Sequence, residues 1–253
     1  MLLAMFAASL VGKIAGSTIN AKISAVKAWH IQQNQPWRGH TLLQYVLKGT
    51  ANATPEKSKQ ERRLPITIEM IRELSRDLDL SDPLDTAVFT IATIAFYSQL
   101  RLGEICGDRE TYTIFNRKAL PTFADVKPPH TPAGSRMMHI PWTKVNHTKG
   151  DDVLICRQWD MTDPVTALDR HLQINNITEP DIAIASYLTP DNTRKLLTTS
   201  KFMKQCNEIW QAHGHTRHTG HCFGIGGTTH YLLQGINPDV IHIMGHWSSD
   251  AFI

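Results

Sequence analysis

The stretch "SDPLDTAVFTIATIAFYSQL", residues 81–100, limits what this chain can become more than any other. Asp82 is placed to cap a helix, and Pro83 fits its first turn, where no amide hydrogen is needed. From Leu84 to Leu100 the only charged residue is Asp85. A helix this apolar is unstable in water unless other elements cover it. It also falls short of the ~20 apolar residues that span a bilayer. The reading is therefore a core helix inside a globular domain. The hydrophobic content of 42% and charged content of 19% supply enough apolar surface for such a core.

The flanking segments read mostly as helices. "MLLAMFAASLVGK" is a helix without the basic start of a signal peptide, and its beginning reads as incomplete. "STINAKISAVKAWHIQQN" predicts a helix capped by Ser17 or Thr18, and "GHTLLQYVLKGT" predicts one ended by Gly49. The polar, proline-bounded "NATPEKSKQERRLP" predicts a linker. Thr67 opens "TIEMIRELSRDL", Asp163-Pro164 opens "DPVTALDRHLQIN", and Thr199 and Ser200 begin a helix that closes at Gly214. Asn237-Pro238 opens one more. Residues 137–156 hold two alternating apolar runs around "NHTKGDD", a hairpin signal. The expected fold class is mainly α with a small antiparallel β-sheet. A helical unit over 1–63 precedes a larger unit over 64–253.

Charge is divided in the same way. The net charge is +3, yet residues 1–63 carry nine Lys and Arg against two Asp and Glu. A basic unit joined to a mildly acidic one predicts a polyanion-binding arm. Four cysteines (Cys106, Cys156, Cys206 and Cys222) stand far apart with no CxxC pair. That spacing predicts buried thiols in a reducing compartment, not a disulfide framework.

Four groups with chemical potential occur in order. "FYSQLRLGEI" places Arg101 and Glu104 just after the core helix, and "PWTK" places Lys144 at the end of a hairpin strand. "GHCFGIGG" places His221 at a helix start, and "IMGHWSSD" places His246 at the end of the next helix. This order and spacing resembles the tyrosine recombinase, or phage integrase, family. In wording the chain looks closest to recombinase-like genes of fungal mobile elements. The resemblance covers nearly the whole chain. It implies a helical core-binding domain followed by a tyrosine-recombinase-type catalytic domain, with double-stranded DNA as partner and a homo-oligomer formed on it. It implies no cofactor, no metal, no membrane and no small-molecule substrate. The mobile-element likeness places the protein in the nucleus.

In that family a tyrosine attacks a DNA phosphodiester, and fixed cations neutralise the charge that builds on the non-bridging oxygens. The resemblance assigns Arg101 as the first arginine, able to hold two phosphate oxygens at once. Glu104 orients it, Lys144 (in preference to Lys149) protonates the leaving 5′-oxygen, His221 handles a proton, and His246 donates to the phosphate. Two departures stand out. The family's second-motif arginine, three residues after the histidine, is Gly224 here. The nucleophilic tyrosine, expected shortly beyond His246, is absent; Tyr45, Tyr97, Tyr112, Tyr187 and Tyr231 all lie upstream. The expectation is thus a recombinase-like DNA-binding protein impaired in cleavage, the alternative being a non-catalytic DNA-binding module or gene fragment.

Two other chemistries compete for the same stretch. His213, His215, His218 and His221 lack the paired spacing of structural zinc sites. "GIGG" suggests a phosphate-cradling loop but lacks the lysine-serine ending and a preceding strand. Tyr231, in the apolar "THYLLQG" segment, reads as core.

Overall fold

A computed structural model describes residues 1–58, 64–144 and 146–245. The chain forms two compact units, Met1–Arg62 and Arg63–Ile253.

The first unit holds α1 (Leu2–Ser9), α2 (Gly16–Gln32) and α3 (Thr41–Asn52). Ala7, Ile19, Ile23 and Leu43 form its small buried core, with Trp37 and Val46 packed against it. The cap of α2 differs from the one that Ser17 and Thr18 predict. The helix begins at Gly16, and its amide donates to Thr54 Oγ1 at 3.2 Å, so a distant hydroxyl does the capping. A Cβ on Gly16 would lie 2.7 Å from the Thr50 carbonyl oxygen, which explains the glycine. Gly49 does not end α3 either. The helix runs on to Asn52 because Thr50 is buried and its hydroxyl bonds back to Leu47 O at 2.6 Å. Lys13, Lys22, Lys27, Arg38 and Lys48 are all exposed on this unit.

The second unit is built around α5 (Pro83–Tyr97), of which every residue from Thr86 to Tyr97 is buried. Asp82 accepts from the Leu84 and Asp85 amides, as its position predicts. Around α5 stand α4 (Ile68–Asp77), α6 (Pro164–Ile174), α7 (Thr199–Ala212) and α8 (His221–Leu233), and α9 (Pro238–Met244) packs on α8. Thr67 and Asp163 cap α4 and α6 by side-chain bonds, and Thr198 caps α7. Buried threonines on α5 are satisfied; Thr90 Oγ1 donates to Ala167 O at 2.9 Å.

In place of one small sheet the described residues form two. The expected hairpin pairs β1 (Arg136–Ile140) with β2 (Asp151–Ile155), turning Met138, Ile140, Val153 and Ile155 into the core. A second antiparallel pair, β3 (Ser186–Leu188) with β4 (Arg194–Leu196), is joined by a turn in which Asn192 has a φ of +62°.

Glycines let α8 pack backbone against backbone. A Cβ on Gly227 of α8 would stand 1.9 Å from the Phe96 carbonyl oxygen, and one on Gly226 would stand 2.2 Å from that of Ile66. "GIGG" is thus where α8 meets the end of α5 and the segment before α4, not a cradle for an anion. Behind α5, His171 is fully buried, donating from Nε2 to Ile184 O at 2.8 Å while Nδ1 accepts from Asn175 Nδ2 at 3.0 Å. Burial holds its pKa down to about 4.

Two glycines should respond to alanine with opposite signs. Gly227→Ala should lose about 2 kcal/mol or more, since overpacking outweighs the better helix propensity of alanine. Gly49→Ala, where a Cβ meets nothing within 4 Å, should gain up to ~1 kcal/mol; denaturant unfolding of both variants checks the pair. The pH effect of His171 also has a definite sign. Its proton binds more readily in the unfolded chain, so stability is full above pH ~6.5. It should decline by on the order of 3 kcal/mol as pH falls to about 4. Thermal melts from pH 7 to 4 should show this slope in the wild type and a flatter one in His171→Gln.

Candidate active site

The arginine-bearing segment emerges from the end of α5. The Gln99 amide donates to Phe96 O at 3.3 Å and the Leu100 amide to Ala95 O at 3.0 Å, the two bonds of a Schellman stop. Glycine usually occupies the left-handed position of that stop, but here Gln99 adopts a φ of +54°. Its side chain is held by α8, whose Thr228 hydroxyl donates to Gln99 Oε1 at 2.6 Å. That tertiary bond offsets a conformation costing about 1 kcal/mol or more in a non-glycine residue.

Arg101 comes next and opens a short 3-10 turn, Leu102–Glu104. Glu104 is almost fully buried and its carboxylate collects three donors. The Arg101 amide lies 3.3 Å from Oε2, Arg101 Nη1 lies 3.3 Å from Oε1, and the Lys144 amide lies 3.1 Å from Oε1. The Arg101 side chain is 28% exposed, so the guanidinium is anchored on one side and reaches solvent on the other.

Lys144 lies in the turn beyond β1, not at the end of the strand as "PWTK" suggests. The turn is well fastened around it. Thr143 Oγ1 donates to Asp151 Oδ2 at 2.7 Å, Asn146 Nδ2 donates to Gly150 O at 2.7 Å, and His147 Nε2 lies 2.8 Å from Lys144 O. The Lys144 side chain itself is exposed, as is that of Lys149. Glu104 therefore joins the first arginine to the lysine-bearing turn, a link no sequence signal marks.

His221 is the first residue of α8 and is exposed. Gly220 before it lets the helix start sit against the arginine's turn: a Cβ there would come within 2.8 Å of Leu102 Cδ1. Gly224 is buried, and a Cβ on it would point at the Gln99 carbonyl oxygen from 3.2 Å. A side chain at 224 would thus begin two residues from Arg101, at the cost of a few tenths of an ångström from Gln99. His246 lies outside the described residues.

The neighbouring histidines are engaged elsewhere. His213 Nε2 lies 2.7 Å from Asp77 Oδ2, and His215 Nε2 lies 3.0 Å from both oxygens of Glu73, so both tie the end of α7 to α4. Hydrogen bonding to Asp77 raises the pKa of His213. His218 is buried, its amide donating to Asn207 Oδ1 at 2.7 Å. Among the described residues no three His, Cys, Asp or Glu side chains gather as a metal set.

The tyrosines of the larger unit are likewise committed. Tyr231 OH donates to Tyr97 O at 3.0 Å, and burial pushes its pKa far up. Tyr97 OH pairs with Thr162 Oγ1 at 2.6 Å, and burial raises its pKa to about 12. Tyr187 OH accepts from Lys201 Nζ at 2.8 Å, and Tyr112 OH accepts from the Ala183 amide at 3.2 Å. Tyr45 is exposed on the first unit.

No protein-family profile matches the chain, and no curated protein is similar to it in sequence. Solved structures are similar in fold. The Tn1549 transposon integrase in complex with circular intermediate DNA superposes with a TM-score of 0.57 at 14% identity, covering 98% of this chain and 76% of the integrase. A point-substituted form of that integrase, also with circular intermediate DNA, gives 0.56 at 15% identity over 98% and 77% of the two chains. XerA recombinase gives 0.46 at 14% identity over 87% and 70%. At 14–15% identity the likeness to the Tn1549 integrase is one of fold: mainly helical with small antiparallel sheets, as in the tyrosine recombinase catalytic domain.

The shared carboxylate predicts an asymmetry between the two residues that it joins. Glu104→Ala would strand the Arg101 and Lys144 donors and should lower unfolding free energy by about 2–4 kcal/mol. Lys144→Ala keeps the backbone donor and should stay within about 0.5 kcal/mol of wild type. Denaturant unfolding of the two variants checks both values.

Proposed function

We propose that this protein binds double-stranded DNA as a tyrosine-recombinase-like protein of a mobile element, whose family work is DNA recombination and integration, and that it is impaired in cleavage. The observation that carries the reading is Glu104, which holds the Arg101 guanidinium and the Lys144 turn together beside the start of α8. An anchored guanidinium, a nearby lysine and a histidine at a helix start are what a metal-free phosphate site requires. Arg101 would grip two non-bridging oxygens, Lys144 would face the 5′-oxygen, and His221 and His246 would handle protons and donate to the phosphate. The exposed lysines of the first unit support its role as a core-binding arm on the duplex. The DNA-bound Tn1549 integrase, of like fold, supports the same partner.

Impairment rests on two features. Gly224 supplies no guanidinium where the family has its second arginine, and removing one preorganised donor typically costs ~10²–10³ in rate. In addition, the four tyrosine hydroxyls of the larger unit are bonded within the fold. Assembly as a homo-oligomer on DNA and residence in the nucleus belong to the same reading.

Binding should weaken steeply with salt, with affinity for duplex falling by ~10³ between 50 and 200 mM if about six phosphates are contacted. Arg101→Ala should reduce that salt slope by about 1. No covalent adduct should form on nicked duplex DNA. Salt-independent or unmeasurable binding would remove the DNA reading, and an adduct would remove the claim of impairment.

A further inference from the structure

The hairpin turn carries something besides Lys144. The rings of Trp142 and His147 stack with centroids 5.1 Å apart and planes 16° from parallel. The pair is fixed by the His147 bond to Lys144 O at 2.8 Å. Both rings line an open cleft of about 650 Å³, which also touches Gly103, Asp108, Arg109, Phe115, Asn116 and Lys118. Gly103 is the middle residue of the turn Leu102–Glu104. The cleft therefore starts against the segment that carries Arg101.

Its size is that of a small-molecule pocket, which commonly measures ~300–1,000 Å³. Its chemistry is more selective. A stacked aromatic pair offers a planar π surface, Asn116 offers an amide donor and acceptor, and the cations Arg109 and Lys118 outnumber the one carboxylate, Asp108. Proteins that hold unpaired nucleotides combine these same groups: aromatic stacking for the base and positive charge for its backbone. A base within a duplex cannot enter, because its faces are covered by its neighbours.

We infer that this cleft receives one unpaired DNA base, stacked at the Trp142–His147 pair, from a nucleotide beside the phosphate held at Arg101. The inference rests on the proposed DNA reading and adds a preference for locally opened strands. Extruding a base costs least where it is already unpaired, so the pocket would favour duplexes with an unpaired nucleotide at the bound position.

The test compares three labelled DNAs of equal length by fluorescence anisotropy with the full chain. One is fully paired, one carries a single unpaired central nucleotide, and one carries an abasic residue in place of that nucleotide. The unpaired base should tighten binding about tenfold over the paired duplex, in line with base stacking on an aromatic side chain. The abasic form should lose most of that gain. Trp142→Ala should bring the ratio of unpaired to paired affinity to about one, whereas Trp142→Phe should retain most of it. Lys118→Ala, at an exposed side chain, should lower the same ratio and serves if Trp142→Ala does not fold. Equal binding of all three DNAs, or an abasic form as tight as the base-bearing one, overturns the pocket while leaving the DNA reading intact. A folded Trp142→Ala that keeps the preference overturns it equally. Binding of none of the three at low salt removes the DNA reading, and the pocket with it. Binding of free dAMP as tightly as the base-bearing DNA would assign the cleft to mononucleotides and overturn the proposal.

Discussion

The backbone of α8 approaches the carbonyl end of α5 so closely that side chains cannot intervene. Gly227 has no room for a methyl group, and Gly224 has barely enough. Where α8 sits in turn decides how α5 can finish. Gln99 takes a left-handed conformation that glycine would hold more easily, and Thr228 secures its side chain from across the contact. Arg101 leaves from that stop, so its starting point is determined by a helix more than 120 residues further along the chain.

A single buried carboxylate then organises the segments beyond the stop. Burying Glu104 without partners would cost several kcal/mol; three donors from two separate segments offset this. The consequence is that the arginine and the lysine-bearing turn share one fixed point. Because the turn is bonded through the Lys144 amide, its side chain is left to solvent. The Trp142–His147 stack belongs to that same fastened turn, which places an aromatic surface on a held segment beside the Arg101 turn instead of on a loose loop.

Local signals with a single mechanism could be read from the sequence. Thr67, Asp82 and Asp163 cap the helices that they precede, and the alternation in residues 137–156 gives β1 and β2. The features that could not be read depend on distant partners. The α2 cap comes from Thr54, and the end of α3 passes Gly49 because Thr50 is buried. The β3–β4 pair is short, and its only cue is the "TPDN" turn. At the candidate site the order of Arg101, Lys144 and His221 was visible, but not the Glu104 bond to Lys144 nor the role of Gln99. "GIGG" was ambiguous for a physical reason: glycine serves close helix contact and phosphate approach equally well, and only the neighbour tells which.

Gly224 couples two parts of the chain that are far apart in sequence. Its missing side chain would point at the Gln99 carbonyl from 3.2 Å, and Gln99 is the residue from which the Arg101 segment departs. Residue 224 and the arginine's support are therefore not independent characters. Any side chain added at 224 would press on that carbonyl, so packing at the α5 stop and the choice of residue at 224 are a single design variable, and a bulkier residue there calls for a companion adjustment at the stop.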